Sequence, residues 1–140
     1  MNEIEIYVDG GSRGNPGQGA IGVFVISDGN KILAEIGEKI GYCTNNQAEY
    51  KALLKALDWL VMNQKKLERA NKITLFLDSQ LVYSQVTGLF KIKNAIIRDM
   101  IFEIRQKEAK IKIDYVYKHI LREKNKEADR LVNLALDNLL

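Results

Sequence analysis

Glu3-Ile4-Glu5-Ile6-Tyr7-Val8-Asp9-Gly10-Gly11-Ser12-Arg13-Gly14-Asn15-Pro16-Gly17-Gln18-Gly19 is the stretch that decides the fold. Polar and apolar side chains alternate over residues 3–9, with Ile4, Ile6 and Val8 on one side, which is the period of a half-buried strand. Asp9 falls on the other side, at the strand's end. Residues 10–19 are the strongest breaker run in the chain and read as the turn region of a hairpin. Residues 20–27, Ala-Ile-Gly-Val-Phe-Val-Ile-Ser, return as a second, β-branched strand. Asp28-Gly29-Asn30 has turn chemistry, and residues 31–40 come back as a third strand. Three short strands joined by glycine-rich turns predict an antiparallel meander.

Beyond the meander the period changes. Thr44-Asn45-Asn46-Gln47 has the Thr-x-x-Gln form of a capping box. Ala48, Ala52, Ala56, Trp59 and Leu60 then recur at helical spacing to about residue 63. A charged connection over residues 65–72 leads to Ile73-Thr74-Leu75-Phe76-Leu77, an apolar run like that of a strand covered on both faces. The run stops at Asp78. A helix is predicted from Ser79 to its glycine stop at Gly88, and another over residues 94–107. Residues 111–117 alternate again as a fifth strand, and His119 follows in a loop. The last helix spans about 124–139, with Ala128, Leu131, Val132, Ala135, Leu136 and Leu139 on one side. Antiparallel strands followed by β-α alternation predict an α/β domain, a mixed sheet with helices on its faces.

The chain has 140 residues, 46% hydrophobic and 28% charged, which suits one globular domain. The single cysteine, Cys43, excludes a disulfide framework and a cysteine-rich metal site. No apolar stretch approaches the ~18 residues that span a bilayer, and no signal-peptide pattern opens the sequence, so the expected location is the cytoplasm. The net charge of +3 says little about nucleic acid by itself. Gly17-Gln18-Gly19-Ala20-Ile21-Gly22 matches the dinucleotide pattern Gly-x-Gly-x-x-Gly. That pattern needs a helix to begin there, and Val23-Phe24-Val25-Ile26 continues as a strand instead. No Gly-Lys-Ser/Thr follows, which excludes a P-loop.

Four carboxylates have unusual settings. Asp9 and Asp78 end strands that a β-α-β return would bring side by side, and ligands of such sheets collect beyond the carboxyl ends of strands. Glu49 and Asp129 lie near helix starts that could point at the same place. Four gathered acids would repel one another. Divalent cations resolve this, and all-oxygen donors suit Mg²⁺ or Mn²⁺. Each acid also has an ordinary reading. An aspartate at a strand end is commonly a turn residue, a glutamate early in a helix complements its dipole, and Asp129 reads as a solvated helix residue. Spacing permits convergence without demonstrating it. His119 is a loop histidine that could shuttle protons. Lys91, Lys93 and Arg98 form one basic group, and Lys118, Arg122, Lys124 and Lys126 another beside His119 and Asp129. Such groups suit a phosphate backbone or are simply solvated.

Four blocks resemble type 1 ribonuclease H: Asp9-Gly10-Gly11-Ser12 with Gly14-Asn15-Pro16-Gly17; Thr44-Asn45-Asn46-Gln47-Ala48-Glu49; Asp78-Ser79-Gln80; and Asn125-x-x-Ala128-Asp129. They occur in the family's order and span nearly the whole chain. The resemblance implies a ribonuclease H-like fold, with a five-stranded mixed sheet of order 3-2-1-4-5 and helices on both faces. The expected organisation is a single ribonuclease H catalytic domain over residues 1–140, with a monomer as the default. The implied activity is metal-dependent endonucleolytic hydrolysis of the RNA strand of an RNA–DNA hybrid, leaving 5′-phosphate and 3′-hydroxyl ends. Two Mg²⁺ ions, with Mn²⁺ as substitute, would be held by Asp9, Glu49, Asp78 and Asp129. In this scheme Asp9 and Asp78 share both ions, Glu49 serves the leaving-group side and Asp129 the attacking water. His119 matches the family's loop histidine. Asn45, Asn46 and Gln47 match residues that read the RNA minor groove. Thr44 and Asn94 match positions that hold a DNA-strand phosphate, and Asn15 and Gln80 complete the implied substrate contacts. The chain departs from the pattern in three respects. It lacks the basic protrusion of many bacterial members, it has no separate hybrid-binding domain, and Leu89-Phe90 stands where a tryptophan often touches the DNA strand. The last departure implies additional cleavage of double-stranded RNA. A binding module on the same fold, or a DNA-acting polynucleotidyl transferase, would share most of these features.

Overall fold

Strand β1 (Glu3–Gly14) is the axis around which the chain is arranged. A computed structural model describes residues 2–88 and 91–140; the Leu89-Phe90 expectation lies outside them. β2 (Gly17–Ser27) and β3 (Lys31–Cys43) follow as an antiparallel meander. β4 (Lys72–Leu77) then runs parallel to β1 on its other side, and β5 (Val116–His119) runs parallel to β4. The sheet order is β3-β2-β1-β4-β5, as the resemblance implies. Four helices complete the described chain: α1 (Asn45–Leu67), α2 (Gln80–Val86), α3 (Ala95–Glu108) and α4 (Lys126–Leu136), with a 3-10 turn over Arg122–Lys124 before α4.

The alternation of β1 sorts the two faces. Ile6 and Val8 pair with Val25 and Val23 of β2, and Ile4, Ile6 and Val8 pair on the other side with Ile73, Leu75 and Leu77 of β4. All are buried against Ala52, Leu53, Ala56, Leu57 and Leu60 of α1. Each large side chain removed from water here stabilises the fold by about 1.5–3 kcal/mol. On the opposite face α4 covers Ala20 with Val132 and Ala135. Farther along that face Tyr7 stacks on Phe76, with ring centroids 4.8 Å apart, and tilts against Phe24. Helices thus lie on both faces.

Several boundaries move for physical reasons. The glycine-rich run is not mainly a turn: β1 continues through it to Gly14, and only Asn15 and Pro16 separate β1 from β2. The fifth strand is shorter and later than its alternation implies. Ile111 is buried and Ile113, Tyr115 and Tyr117 pack on the same core, so the pattern reports burial, while ladder pairing with β4 begins only at Val116. His119 is therefore the last strand residue, paired with Leu77, and not part of a loop. α1 continues to Leu67 into the charged connection. α4 is shorter than its apolar side, and Leu139 is exposed beyond it.

Candidate active site

The β1–β4 ladder ends at the pair Val8–Leu77. The next residues on the two strands are Asp9 and Asp78, so two carboxylates emerge side by side where the ladder stops. α1 supplies the third. Its start is fixed by the capping box read from the sequence: Thr44 Oγ1 accepts from the Gln47 amide, and Gln47 Oε1 accepts from the Thr44 amide. Glu49 follows one turn later. Gly10 lets the helix approach, because a Cβ there would lie 2.2 Å from the Ala48 carbonyl oxygen and 2.7 Å from the Glu49 nitrogen. Gly22, the cross-strand partner of Asp9, does the same for α4: a Cβ would lie 2.2 Å from the Ala128 carbonyl oxygen, next to Asp129. Two glycines flanking Asp9 thus seat the two helices that carry the other acids.

Asp9, Glu49 and Asp78 are all buried, and one carboxylate oxygen from each lies within 4.8 Å of the others. Asp9 is 7% exposed and Glu49 5%, so neither the turn reading of Asp9 nor the dipole reading of Glu49 holds. Burial, and then the negative charge of Asp78, push the Asp9 carboxyl from an ordinary 3.8 up to about 7; Asp129 adds to this and Arg122 opposes it. Burial and the charges of Asp9 and Asp78 raise Glu49 well above the usual range. Three such groups cannot all ionise together unless a cation joins them. Glu49 Oε2 and Asp78 Oδ1 are buried and have no hydrogen-bond partner among the described residues. A buried carboxylate oxygen without a donor is costly, and a hard cation on this all-oxygen set would satisfy both. The residues therefore fit a divalent metal.

These acids floor a cleft of about 440 Å³. Asp129 is exposed at its rim, joining the cluster electrostatically rather than by contact. Gln80, Ser12, Arg13, Asn133 and Arg122 also line the cleft. Arg122 Nη2 is 4.0 Å from Asp78 Oδ1 and 79% exposed, a pairing of little energetic weight. A second cavity of about 420 Å³ is lined by Asn15, Thr44, Asn45, Asn46, Gln47, Asn94 and Ile97. Asn45 and Asn46 border both cavities. Asn15 Oδ1 accepts from the Asn45 amide at 3.0 Å, and Asn45 Oδ1 accepts from Ser12. Thr44 and Asn94 are the N-caps of α1 and α3, so two helix N-termini meet at this cavity.

Not every expected residue converges. His119 does not line the cleft; its Nε2 lies 3.2 Å from the backbone carbonyl of Asp78. The second basic group does not stay together. Arg122 lines the cleft of the acids, Lys124 and Lys126 line a different cavity with Tyr7 and Phe24, and Lys118 lies with Phe76 and Lys72. Sequence reasoning gave Asn125 no role, yet it is 1% exposed and donates to Asp78. Its place in the block Asn125-x-x-Ala128-Asp129 was the available signal.

The RNase H family model matches residues 1–137. Ribonuclease HI of Halobacterium salinarum is 39% identical over 136 residues, 96% of this chain and 65% of that protein. The chain thus spans less than two thirds of that relative, and 36% of the length of mycobacterial relatives that are themselves 36% identical. Among solved structures, LC11-RNase H1, isolated from compost, superposes with a TM-score of 0.90 at 40% identity, covering 99% of this chain and 98% of that one. LC11-RNase H1 in complex with an RNA/DNA hybrid gives 0.88 at 39% identity, covering 96% and 97%.

Proposed function

The chain belongs to the RNase H family, and from that premise we propose that it is a divalent-metal-dependent endoribonuclease that hydrolyses the RNA strand of RNA–DNA hybrids. The observation that carries this reading is the buried triad Asp9, Glu49 and Asp78 with two orphaned oxygens. The proposed cofactors are two Mg²⁺ ions, with Mn²⁺ as substitute, held by the triad with Asp129 joining from the rim. When bound, such ions activate water and stabilise a leaving oxygen. Cytoplasmic residence, a single catalytic domain and action as a monomer go with this reading.

The chain's own residues place the substrate. Asn45, with Oδ1 engaged by Ser12, keeps its NH₂ for a ligand. Asn46 is exposed beside it. Such amides can donate to 2′-hydroxyls, the groups that distinguish RNA from DNA. Gln47 spends its oxygen on the capping box and keeps its NH₂ for the same groove. Thr44, Asn94 and Asn15 would hold a phosphate of the paired DNA strand, where two helix N-termini favour an anion. Gln80 would contact the RNA strand in the cleft. In the reaction a water oxygen bonds to phosphorus as the P–O3′ bond breaks. The water loses a proton and the departing 3′-oxygen gains one, leaving 5′-phosphate and 3′-hydroxyl ends. His119, behind Asp78, would assist proton transfer or product release.

A denaturing-gel assay with matched RNA–DNA, RNA–RNA and DNA–DNA duplexes, each with Mg²⁺, Mn²⁺ or chelator, tests the reading. Metal-dependent cutting of the RNA in the hybrid is the expected result, and added cutting of RNA–RNA would extend the substrate range as the sequence implies. Binding without cutting in either metal would make the chain a hybrid-binding module. Cutting of DNA–DNA alone would refute the proposal.

A further inference from the structure

Asn125 stands at the N-cap position of α4, but its side chain makes no cap hydrogen bond. The corresponding side chains of the other three helices, Thr44, Ser79 and Asn94, all do. The Asn125 amide is diverted inward. Its Nδ2 donates to the Val8 carbonyl and to Asp78 Oδ2, both at 2.8 Å. Two acceptors on one nitrogen fix the orientation of the amide, since a flipped group would set its oxygen against a carboxylate and a carbonyl. Val8 belongs to the last β1–β4 pair, so the amide inserts where the ladder stops and ties the ends of both strands together. Its own Oδ1 is buried without a partner among the described residues. A buried amide serving only the fold is expected to satisfy both of its ends. The Asn125 carbonyl also accepts from the Asp129 amide at 3.2 Å, which refers the fourth acid to the same residue.

We infer that Asn125 is a positioning residue of the acid cluster: by occupying Asp78 Oδ2 it leaves Oδ1 as the oxygen offered to a divalent cation, and it fixes the rotamer in which that oxygen is offered. This rests on the metal-dependent reading above. Groups that orient a ligand in this way typically change metal affinity or activity about 10–100-fold when removed.

The test is calorimetric titration of Mn²⁺ into the nucleic-acid-free parent and the Asn125→Ala variant, with the Mg²⁺ dependence of hybrid cleavage measured alongside. Asn125→Ala is expected to bind Mn²⁺ about 10–100-fold more weakly. Its half-saturating Mg²⁺ should rise by a similar factor, while KM for the hybrid at saturating metal stays within about twofold. Unchanged Mn²⁺ affinity in folded Asn125→Ala overturns the proposal, even if its Tm falls. Should Asn125→Ala not fold, Asn125→Ser replaces it, because the shorter hydroxyl cannot bridge both acceptors; parental affinity there overturns the proposal equally. Ile104→Val, in the core on α3, serves as the destabilised control, and an equal loss of affinity in it would assign the effect to general stability and also overturn the proposal. If the parent binds no Mn²⁺, it is the metal-dependent reading that fails.

Discussion

Replacing Asp9 by asparagine separates what the acid cluster costs the fold from what it does. Asp9 is 7% exposed, and burial together with the Asp78 charge moves its carboxyl from an ordinary 3.8 to about 7. A carboxyl whose folded pKa exceeds its unfolded value binds its proton more tightly in the folded chain. The metal-free protein therefore loses stability as pH rises from about 4 through about 7, and the loss is complete above that. The whole displacement corresponds to about 4 kcal/mol. Glu49 and Asp78 keep their mutual repulsion after the substitution, so the gain for Asp9→Asn is about 1–3 kcal/mol near pH 8, about 0.4–1 kcal/mol near pH 5 and close to zero only near pH 3. Asparagine retains an oxygen for the Gly10 amide, which Asp9 Oδ1 accepts at 3.0 Å. At about 2–4 °C per kcal/mol for a domain of this size, Tm should rise by about 2–12 °C near pH 8.

Scanning calorimetry of parent and variant from about pH 5 to 8, in chelator and then in excess Mg²⁺, reads this directly. In chelator the variant should be the more stable, by a margin that grows with pH. In Mg²⁺ the parent should gain through binding to the folded state, and the variant should gain little. Cleavage should fall by at least about two to three powers of ten. Parallel Tm–pH curves in chelator would refute the reasoning, because they would mean that Asp9 carries no repulsion for the amide to relieve.

Asp78→Asn should still bind the hybrid while cutting it at least about two to three powers of ten more slowly; near-normal turnover in a single-turnover assay would remove Asp78 from the metal set. Gly22→Ala puts a Cβ 2.2 Å from the Ala128 carbonyl oxygen, so α4 must retreat. A loss of about 1–3 kcal/mol in denaturant unfolding is expected, with turnover lowered as Asp129 moves. Parental values for both would mean that α4 is not seated by this glycine. Asn46→Ala, on an exposed position, should leave stability within about 0.5 kcal/mol and raise KM for the hybrid; an unchanged KM would show that this amide does not meet the substrate.

The acids were legible because strand ends and helix starts are written in local pattern. Alternation located Asp9, the apolar run located Asp78, and the Thr44–Gln47 capping box set the register of Glu49. What local pattern could not carry was contact between elements. Gly10 and Gly22 have the composition of turn residues, and only the approach of α1 and α4 shows that they serve helix docking inside strands. Residues 111–115 alternate like a strand because they pack on the core, and their absence from the ladder depends on where β4 is reached. Lys124 and Lys126 adjoin Arg122 in sequence but line a different cavity from it. Asn125 had no role in the sequence because its partners, Val8 and Asp78, are 117 and 47 residues away.

The exceptions to local rules collect around one point. Within the residues that meet where β1 and β4 part, three carboxylates are buried together, two of their oxygens lack donors, two glycines occupy strand interiors, and one helix forgoes its cap. Each is unfavourable for the metal-free fold by itself: buried charge, strand glycine and a missing cap. The rest of the chain obeys the rules closely, with an apolar core on one face of β1 and side-chain caps on α1, α2 and α3. Such a division is expected where a site is assembled against the preference of its surroundings. A sequence optimised for metal-free stability alone would therefore lose Asp9 early. The core of β1 and α1 supplies the stability against which that strained corner is held, at the ends of two adjacent core strands rather than on a loop.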